Sequence, residues 1–391
     1  MTALVTVSSL VHEHLLTLAD NHVIQKNNLL NAHDDITAIS RWLEEFRLSI
    51  HTYRAYEKES LRFLYWLYVA QKITLNEARK QHIHDYRVFL MDPQPAEFWC
   101  APLGDRRNSR KKAQWMPFSG PLKLRSIQAA MTILNGMFTY LLNAQYLSSN
   151  PFSLIKQRLV EKFDVESRKI DIVERMLSKE EFHLLIQAIE LMHQRQLKAP
   201  AWIERSYFIF YFLAYLGLRV GELVSHHWTD FLNMDGKWWL TILGKGKKLA
   251  RVPVNNQCLV VINNYRQSLG LCELNRDRLT ADPLICKLNK NNTPVLQEGV
   301  TERSIHLILK EVALFAAEQT DNRSLQEKFK RFSPHWLRHF SASMQAQADI
   351  PFEFIKAHHR HSKDETTRLY IHHEDHERHD WSQHLDLKQK K

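Results

Sequence analysis

The sequence predicts a mainly α-helical protein with a small antiparallel β-sheet, divided into two domains. Apolar residues recur at helical spacing over most of the chain. In RWLEEFRLSI this spacing predicts one helix face formed by Trp42, Leu43, Phe46 and Ile50. Strong β character is found in KWWLTILGKGKKLARVPV, where two strand-like runs flank a Gly-Lys-Gly turn. A chain of 391 residues is long enough for two domains.

Composition indicates a folded protein that suits a polyanionic partner. Hydrophobic residues make up 44% of the chain, so a sizeable core can be buried. Lys and Arg number 53 against 43 Asp and Glu, and this excess suits a partner with many phosphates, although soluble proteins without such a partner also reach it. The four cysteines are scattered and form no CxxC pair, which disfavours a disulfide framework and a zinc site.

No segment of the sequence predicts a membrane anchor. The longest apolar run, YFIFYFLAYLGL at residues 207–218, is too short to span a bilayer and predicts a buried core helix. The N-terminal MTALVTVSSLVHEHLL lacks a basic region before its apolar residues, so we expect no signal peptide. A cytoplasmic protein in a reducing compartment is therefore the expectation.

The first predicted domain is helical and occupies residues 38–150, after a polar, partly helical arm at 1–37. Its helical pattern is interrupted by a loop at 93–121, which contains five prolines and two glycines. The stretch from Leu103 to Arg125 carries seven basic residues and one acidic residue. Helical spacing resumes in SIQAAMTILNGMFTYLLNAQYL and ends at SSNP.

The second predicted domain follows a charged linker at residues 151–177, which has no clear apolar face. It spans residues 178–391 and includes the C-terminal tail. Ser178 and Glu181 have the spacing of a capping box, which marks the start of its first helix. Apart from the predicted hairpin, this domain is expected to be mainly helical.

Arg219 follows the long apolar run directly, in AYLGLRVGEL. A guanidinium buried there without a partner would cost several kcal/mol, and Glu222, three residues on, can pair with it. The pair is either structural, or Arg219 points into a cleft and awaits an anion. Guanidinium suits phosphate because its fork makes two parallel hydrogen bonds.

Two further stretches combine basic and imidazole side chains. LGKGKKLARVPV is not a Walker loop. The tip of the predicted hairpin is either a solvated basic turn, or it places Lys245 in a groove of a polyanion. In SPHWLRHF, His335 and Arg338 are three residues apart and share a helix face. They form either a packed polar helix start or the donors of a phosphoryl site.

Tyr370 lies nine residues after His361, in HSKDETTRLYIHH. A lone tyrosine in such a helix is usually a packing residue. The histidines that follow, His372, His376 and His379, have helical spacing that fits a metal site or, more simply, an exposed polar helix.

The ordered set GLRVGEL, GKGKKLARVPV, SPHWLRHF and HSKDETTRLY resembles the tyrosine recombinase (phage integrase) family, with spacings similar to those of bacterial Xer-type members. The resemblance is strong from Ser178 to His373. It is weaker over 38–150, where the family has a SAM-like helical DNA-binding domain, and it does not cover 1–37 or the loop at 93–121. The family's catalytic set corresponds to Arg219, Lys245, His335, Arg338, His361 and Tyr370, with Glu222 as the acidic residue that often accompanies the first arginine.

Two departures from the family pattern stand near the expected site. The family usually has Leu-Gly-His-Ser before its tyrosine, but here His359 and Arg360 replace the leucine and the glycine. A glycine is also usual where Ala-Asp-Ile-Pro stands at residues 348–351. Both departures concern turn geometry and leave the catalytic residue types in place.

The resemblance implies a site-specific DNA recombinase that needs no cofactor and no metal. Tyr370 would attack a phosphodiester to give a 3′-phosphotyrosine, while Arg219 and Arg338 neutralise the nonbridging oxygens. His335 would accept or donate a proton, His361 would hydrogen-bond the developing charge, and Lys245 would protonate the leaving 5′ oxygen. Strand exchange through a Holliday junction implies a homotetramer on double-stranded DNA, with the two domains clamping the duplex and with possible accessory DNA-bending proteins. The protein itself would be cytoplasmic and associated with the nucleoid.

Basic residues outside the catalytic set are candidates for phosphate contacts that strengthen binding at low salt. They lie in and beside the basic loop and on the predicted hairpin. The candidates are Arg106, Arg107, Arg110, Lys111, Lys112, Lys123, Arg125, Lys247, Lys248 and Arg251.

Three other functions remain open from the sequence. A type IB topoisomerase uses the same chemistry but relaxes DNA as a monomer. A DNA-binding regulator with an inactive site is disfavoured because every catalytic position is filled. A metal nuclease built on the C-terminal histidines predicts loss of activity in EDTA.

Overall fold

The computed structural model describes residues 28–102, 115–155, 176–243, 249–275, 279–361 and 364–368. The chain divides into two compact units, Met1–Val160 and Glu161–Lys391. In the described residues, helices dominate both units and the strands are short and antiparallel, as the sequence predicts.

The first unit is helical in its described residues. Short π- and 3-10-helical turns lie at Leu67–Gln71, Leu75–Glu77 and Pro151–Leu154. The α-helices are α1 (Asp35–Glu44), α2 (Ile50–Trp66), α3 (Lys80–Met91), α4 (Ala96–Trp99) and α5 (Leu124–Asn143).

Apolar spacing positions these helices on one core. In α5, Ile127, Leu134, Phe138 and Leu141 are all buried, which confirms the helix predicted there. The expectation of one continuous face from Trp42 to Ile50 was wrong. Helix α1 ends at Glu44 and a new helix begins at Ile50, so Trp42 and Leu43 are buried while Ile50 is 37% exposed.

A buried carboxylate organises the start of this unit. Asp35, in the first turn of α1, accepts hydrogen bonds from the hydroxyls of Tyr68 (3.0 Å) and Tyr146 (2.8 Å) and from the backbone N–H of Leu75 (2.9 Å). Burial raises the pKa of Asp35, although these three donors act in the opposite direction. Asp35 and Ala32 are fully buried, so the described end of the predicted arm packs into the helical unit.

The second unit combines helices with two small sheets. Its first helix, α6, is Lys179–Gln194, and the capping box of Ser178 and Glu181 is present as predicted. The other α-helices are α7 (Pro200–Leu216), α8 (Val220–Ser225), α9 (Asn256–Ser268), α10 (Glu302–Glu318), α11 (Arg323–Lys330), α12 (Pro334–Gln347), α13 (Phe352–His359) and α14 (Asp364–Arg368).

The larger sheet has three antiparallel strands in the order β1 (Phe231–Met234), β2 (Lys237–Leu243) and β3 (Leu249–Val254). Strands β2 and β3 pair from Trp238↔Val254 to Leu243↔Leu249, which confirms the predicted hairpin. Strand β1 was not predicted, although the Asp235-Gly236 turn after it is a hairpin signal and both residues have positive φ. A second, unpredicted pair is β4 (Cys286–Leu288) with β5 (Pro294–Gly299).

Helix α7 forms the centre of this unit's core. Phe208, Ile209, Phe210, Phe212 and Leu213 are all buried, as expected for the apolar run. No helix in the described parts of the chain is long and apolar enough to cross a membrane.

We expect Asp35→Ala to lower the free energy of unfolding by about 3 kcal/mol, because it leaves two hydroxyls and one N–H without an acceptor in the core. Urea unfolding measures this change. Arg41→Ala, on the exposed side of the same helix, is the control and should change the free energy by less than about 0.5 kcal/mol. Equal effects of the two substitutions would show that the buried network contributes nothing.

Candidate active site

Arg219 lies where the core helix α7 gives way to α8. Its backbone N–H donates to Glu222 Oε2 (2.8 Å), and its Nη1 donates to Glu222 Oε1 (2.9 Å). The side chain of Arg219 nevertheless stays 45% exposed, whereas that of Glu222 is 8% exposed. The pair foreseen in the sequence therefore exists, and it leaves part of the guanidinium open to an anion.

Arg338 occupies the first turns of α12 and is 3% exposed. Its Nη1 donates to the carbonyl of Gly217 (2.5 Å), and its Nη2 donates to the carbonyl of His359. Gly217 precedes Arg219 by two residues, and His359 precedes His361 by two residues. A single buried guanidinium thus fixes the two backbone segments that carry Arg219 and His361.

His335 lies one helical turn before Arg338 and is exposed. Its ring centroid lies 4.4 Å from that of His339, in an edge-to-face arrangement.

His361 follows α13 and is half-buried. Its Nδ1 lies 2.9 Å from Thr367 Oγ1, and its backbone N–H donates to the carbonyl of Lys356 (3.1 Å). Burial, followed by the positive charges of Arg338 and Arg219, lowers the pKa of His361 to about 4. The imidazole is therefore neutral at pH 7 and can donate one hydrogen bond while accepting another.

His359 is a fully buried neighbour that the sequence did not mark as a site residue. Neither ring nitrogen has a hydrogen-bond partner among the described residues. Burial, followed by the neighbouring groups His358 and Arg338, holds the pKa of His359 well below its usual value, so the ring is neutral. It packs on Gly217, where an added Cβ would lie 2.3 Å from His359 Cε1.

Arg360 stands where the family pattern has a glycine, and it adopts the left-handed conformation (φ 54°, ψ 45°) that glycine favours. Its Nη2 lies 2.6 Å from Glu222 Oε2, and its Nη1 donates to the carbonyl of His358 (2.7 Å). Burial raises the pKa of Glu222, but the charge of Arg360 and the hydrogen bonds and charge of Arg219 outweigh it, so this pKa is lowered. Glu222 is thus an ionised carboxylate between two guanidiniums.

The structure brings together the described members of the predicted catalytic set. Arg219, Arg338 and His335 all lie close enough to His361 for their charges to lower its pKa, and Glu222 joins this cluster through Arg219. Lys245 and Tyr370 lie outside the described residues, as do the C-terminal histidines His372, His376 and His379.

Of the residues predicted to contact DNA, three are described and all are exposed. Lys123 and Arg125 lie at the start of α5 in the first unit. Arg251 lies on β3, with its Nη1 3.8 Å from the sulfur of Met234. The other candidates, Arg106, Arg107, Arg110, Lys111, Lys112, Lys247 and Lys248, lie outside the described residues.

Sequence reasoning missed two contacts that shape this site. The ion pair of Arg360 with Glu222 joins residues 138 positions apart, so no local spacing predicts it. The hydrogen bond of Thr367 to His361 spans six residues and had no motif to mark it. The available signal was the basic side chain in place of the family's glycine at 360.

We expect Gly217→Ala to destabilise the protein by about 3 kcal/mol or more, since it adds a clash with the buried ring of His359 to the strain of a left-handed alanine. Gly236→Ala is the matched control, because Gly236 also has positive φ but has open space at the Cβ position. Its cost should be about 1 kcal/mol, from strain alone. Thermal or urea unfolding of both variants measures the difference, and equal costs would contradict the close packing of His359 on Gly217.

Comparison with known proteins places this arrangement in a family. Residues 175–377, just over half of the chain, match the phage integrase family. Tyrosine recombinase XerC of Xanthomonas axonopodis pv. citri is 26% identical over 156 residues, which are 40% of this chain and 43% of that protein. Tyrosine recombinase XerD of Rickettsia conorii is 25% identical over 271 residues, covering 66% of this chain and 77% of that one. The match spans less than half of the XerC relative's length.

Solved structures show the same fold at low identity. The XerH site-specific recombinase bound to difH substrate, in its pre-cleavage complex, aligns with a TM-score of 0.54 at 14% identity over 96% of this chain and 94% of that one. The Tn1549 transposon integrase in complex with a circular intermediate DNA aligns with a TM-score of 0.55 at 12% identity. The alignment covers 90% of this chain and 100% of that one. Because the family match covers more than half of the sequence, the chain belongs to the phage integrase family.

Proposed function

We propose that this protein is a site-specific DNA recombinase that cuts and rejoins strands through a 3′-phosphotyrosine intermediate. One observation carries the proposal: the buried guanidinium of Arg338 holds the backbone of the segments that carry Arg219 and His361, so two arginines and a neutral imidazole converge. Membership of the phage integrase family gives this cluster its expected chemistry. A phosphodiester is the anion that suits it, because it has one charge spread over two nonbridging oxygens.

The two arginines have different parts in this proposal. Arg338 is held by backbone carbonyls, and its guanidinium stays protonated and positively charged. Arg219 is anchored on one side by Glu222 and open on the other, so its exposed donors can reach a nonbridging oxygen. Neutralising the phosphate lowers the barrier to attack by the tyrosine oxygen. Preorganised hydrogen-bond donors do this by stabilising the negative charge of the transition state.

His361 supports the phosphate as a neutral donor. When the Thr367 hydroxyl donates to Nδ1, the ring proton sits on Nε2, which can donate to an oxygen of the transition state. A pKa near 4 keeps this form dominant at neutral pH. His335 is exposed, and the family signature assigns to it the proton of an incoming phenol.

Tyr370 and Lys245 complete the reaction by assignment from the family signature. The Tyr370 oxygen forms a bond to phosphorus while the bond from phosphorus to the 5′ oxygen breaks. The phenolic proton passes to His335, and Lys245 supplies a proton to the leaving 5′ oxygen. The phosphotyrosine bond conserves the energy of the phosphodiester, so a 5′-hydroxyl of another strand reverses the step and joins new partners.

Exchange between two duplexes requires four such sites, so we propose a homotetramer on double-stranded DNA that passes through a Holliday junction. The XerH and Tn1549 proteins were solved with DNA bound, which supports a DNA partner here. Exposed basic residues in both units, Lys123, Arg125 and Arg251, are candidates for phosphate contacts. We expect the protein to act on DNA of the nucleoid, with accessory DNA-bending proteins as possible helpers.

We expect Tyr370→Phe to abolish covalent adducts, because it removes only the attacking oxygen. Nicked duplexes from a randomised library trap adducts, and sequencing of the trapped DNA gives the cleavage site. Binding to that site should stay within about twofold, since the substitution removes no charge. Adduct formation is scored by resistance of the protein–DNA band to denaturant.

Tyr207→Phe is the control for this substitution. Tyr207 lies in the same unit, and its hydroxyl donates to Glu190, which is not one of the predicted site residues, so adducts should persist. Persistent adducts in Tyr370→Phe would show that the nucleophile is assigned wrongly.

Plasmid relaxation without two-site recombination would favour a type IB topoisomerase, and loss of cleavage in EDTA would favour a metal nuclease.

Truncation after residue 373 tests the assembly. We expect the shortened protein to bind a single site but to lose synapsis and recombination, because the tail is proposed to dock on a neighbouring protomer. Gel-shift analysis of one-site and two-site DNA distinguishes binding from synapsis. Intact recombination by the shortened protein would exclude this role for the tail.

A further inference from the structure

Arg360 occupies a backbone position that disfavours its side chain. Its φ of 54° lies in the left-handed region, where a residue with a Cβ costs about 1 kcal/mol or more relative to glycine. Such a conformation persists when surrounding contacts determine it, and it often marks a functional site. The contacts of the Arg360 side chain are therefore expected to stabilise this backbone conformation.

The side chain of Arg360 is held inward. It is 11% exposed, and its Nη2 forms an ion pair with Glu222 Oε2 at 2.6 Å. Its Nη1 donates to the carbonyl of His358 at 2.7 Å. Both amino groups of Arg360 are thus engaged, and its buried Nε has no hydrogen-bond partner among the described residues, whereas the side chain of Arg219 is 45% exposed.

Glu222 is the shared partner. Its Oε1 accepts from Arg219 Nη1 at 2.9 Å, and its Oε2 accepts from Arg219 N–H at 2.8 Å and faces Arg360. One negative charge thus lies between two positive charges. Without Arg360, the carboxylate would be balanced by Arg219 alone and would cancel more of the charge that Arg219 presents to a phosphate. Its Oε2 would also lose a charged partner that limits its rotation.

We propose that Arg360 is a positioning residue of the candidate site: it fixes and neutralises Glu222, so that Arg219 is oriented by Glu222 while keeping its charge for the scissile phosphate. The inference rests on the proposed strand-cleavage function for its catalytic consequence. Its structural part, the coupling of Arg360 to the charge of the cluster, does not depend on DNA.

Three substitutions separate backbone conformation from charge. Arg360→Gly relieves the left-handed strain and removes the guanidinium. Arg360→Asn removes the charge but keeps a residue that tolerates positive φ. Arg360→Lys keeps the charge but loses the two-pronged geometry of the guanidinium. Asp349→Gly is the matched control, because Asp349 is an exposed, charged residue with φ 54° in the same unit and is not among the main groups that shift the pKa of His361 or Glu222.

Single-turnover cleavage of the trapped site and DNA binding give the first readout. We expect Arg360→Gly and Arg360→Asn to cut about tenfold more slowly or worse, because a misplaced group at a reacting centre costs rates of this order. Binding should change by less than about threefold, since no phosphate contact is removed. Arg360→Lys should recover part of the rate, and Asp349→Gly should cut like the unaltered protein. Thermal unfolding checks that all variants are folded.

The titration of His361, followed by NMR of its imidazole without DNA, gives the second readout. Removing a nearby positive charge favours the protonated ring, so its pKa should rise in Arg360→Gly and Arg360→Asn and should stay near the wild-type value in Arg360→Lys and Asp349→Gly. The ring is also close to several other charged or titratable groups, which are unchanged in these variants. These groups are Arg219, Arg338, His335 and His359.

The two readouts distinguish two kinds of failure. If no protein, including the unaltered one, forms a DNA adduct, the proposed function is wrong, while the titration still reports whether Arg360 acts on the cluster. If Arg360→Gly is folded, cuts DNA at the wild-type rate and leaves the pKa of His361 unchanged, the positioning role is overturned. A slower rate in Arg360→Gly that equals the loss in Asp349→Gly would also contradict it, since a general effect of the glycine would then suffice.

Discussion

The buried guanidinium of Arg338 is the constraint on which the candidate site depends. A permanent charge inside a protein needs acceptors, and this one finds them in the carbonyls of Gly217 and His359. Each carbonyl lies two residues before a member of the predicted catalytic set, Arg219 in one case and His361 in the other. The same contact that satisfies a buried charge therefore sets the spacing of the groups that are proposed to hold a phosphate.

Among the described residues, positive charge is concentrated around this point and is only partly compensated. Glu222 is the carboxylate that pairs with both Arg219 and Arg360, and the imidazoles of His359 and His361 are kept neutral by burial and by the arginines. Uncompensated charge beside half-exposed donors favours an anion over water. Clustered positive charges raise the electrostatic free energy of the protein without a ligand. A site preorganised for a phosphodiester is expected to have this property.

Much of this organisation follows from the sequence because it is local or periodic. Helical spacing predicted α5 and α7, the Gly-Lys-Gly stretch predicted the pairing of β2 with β3, and the motif order predicted the cluster of Arg219, Arg338 and His361. What escaped prediction depends on tertiary contacts or on very short elements. The break between α1 and α2 overrides an apolar pattern, β1 has four residues, and the pairing of Arg360 with Glu222 spans 138 positions.

The most direct test of the central claim, that arginine charge is matched to phosphate charge, compares Arg219→Ala with the unaltered protein on two substrates. One substrate carries the normal scissile phosphodiester, and the other carries a neutral methylphosphonate at the same position. We predict that the substitution slows cleavage of the phosphodiester by about 100-fold or more, the order expected for loss of one preorganised donor, and slows cleavage of the methylphosphonate by less than about tenfold. An equal loss on both substrates would contradict the account, because Arg219 would then act without regard to the charge that it is proposed to neutralise.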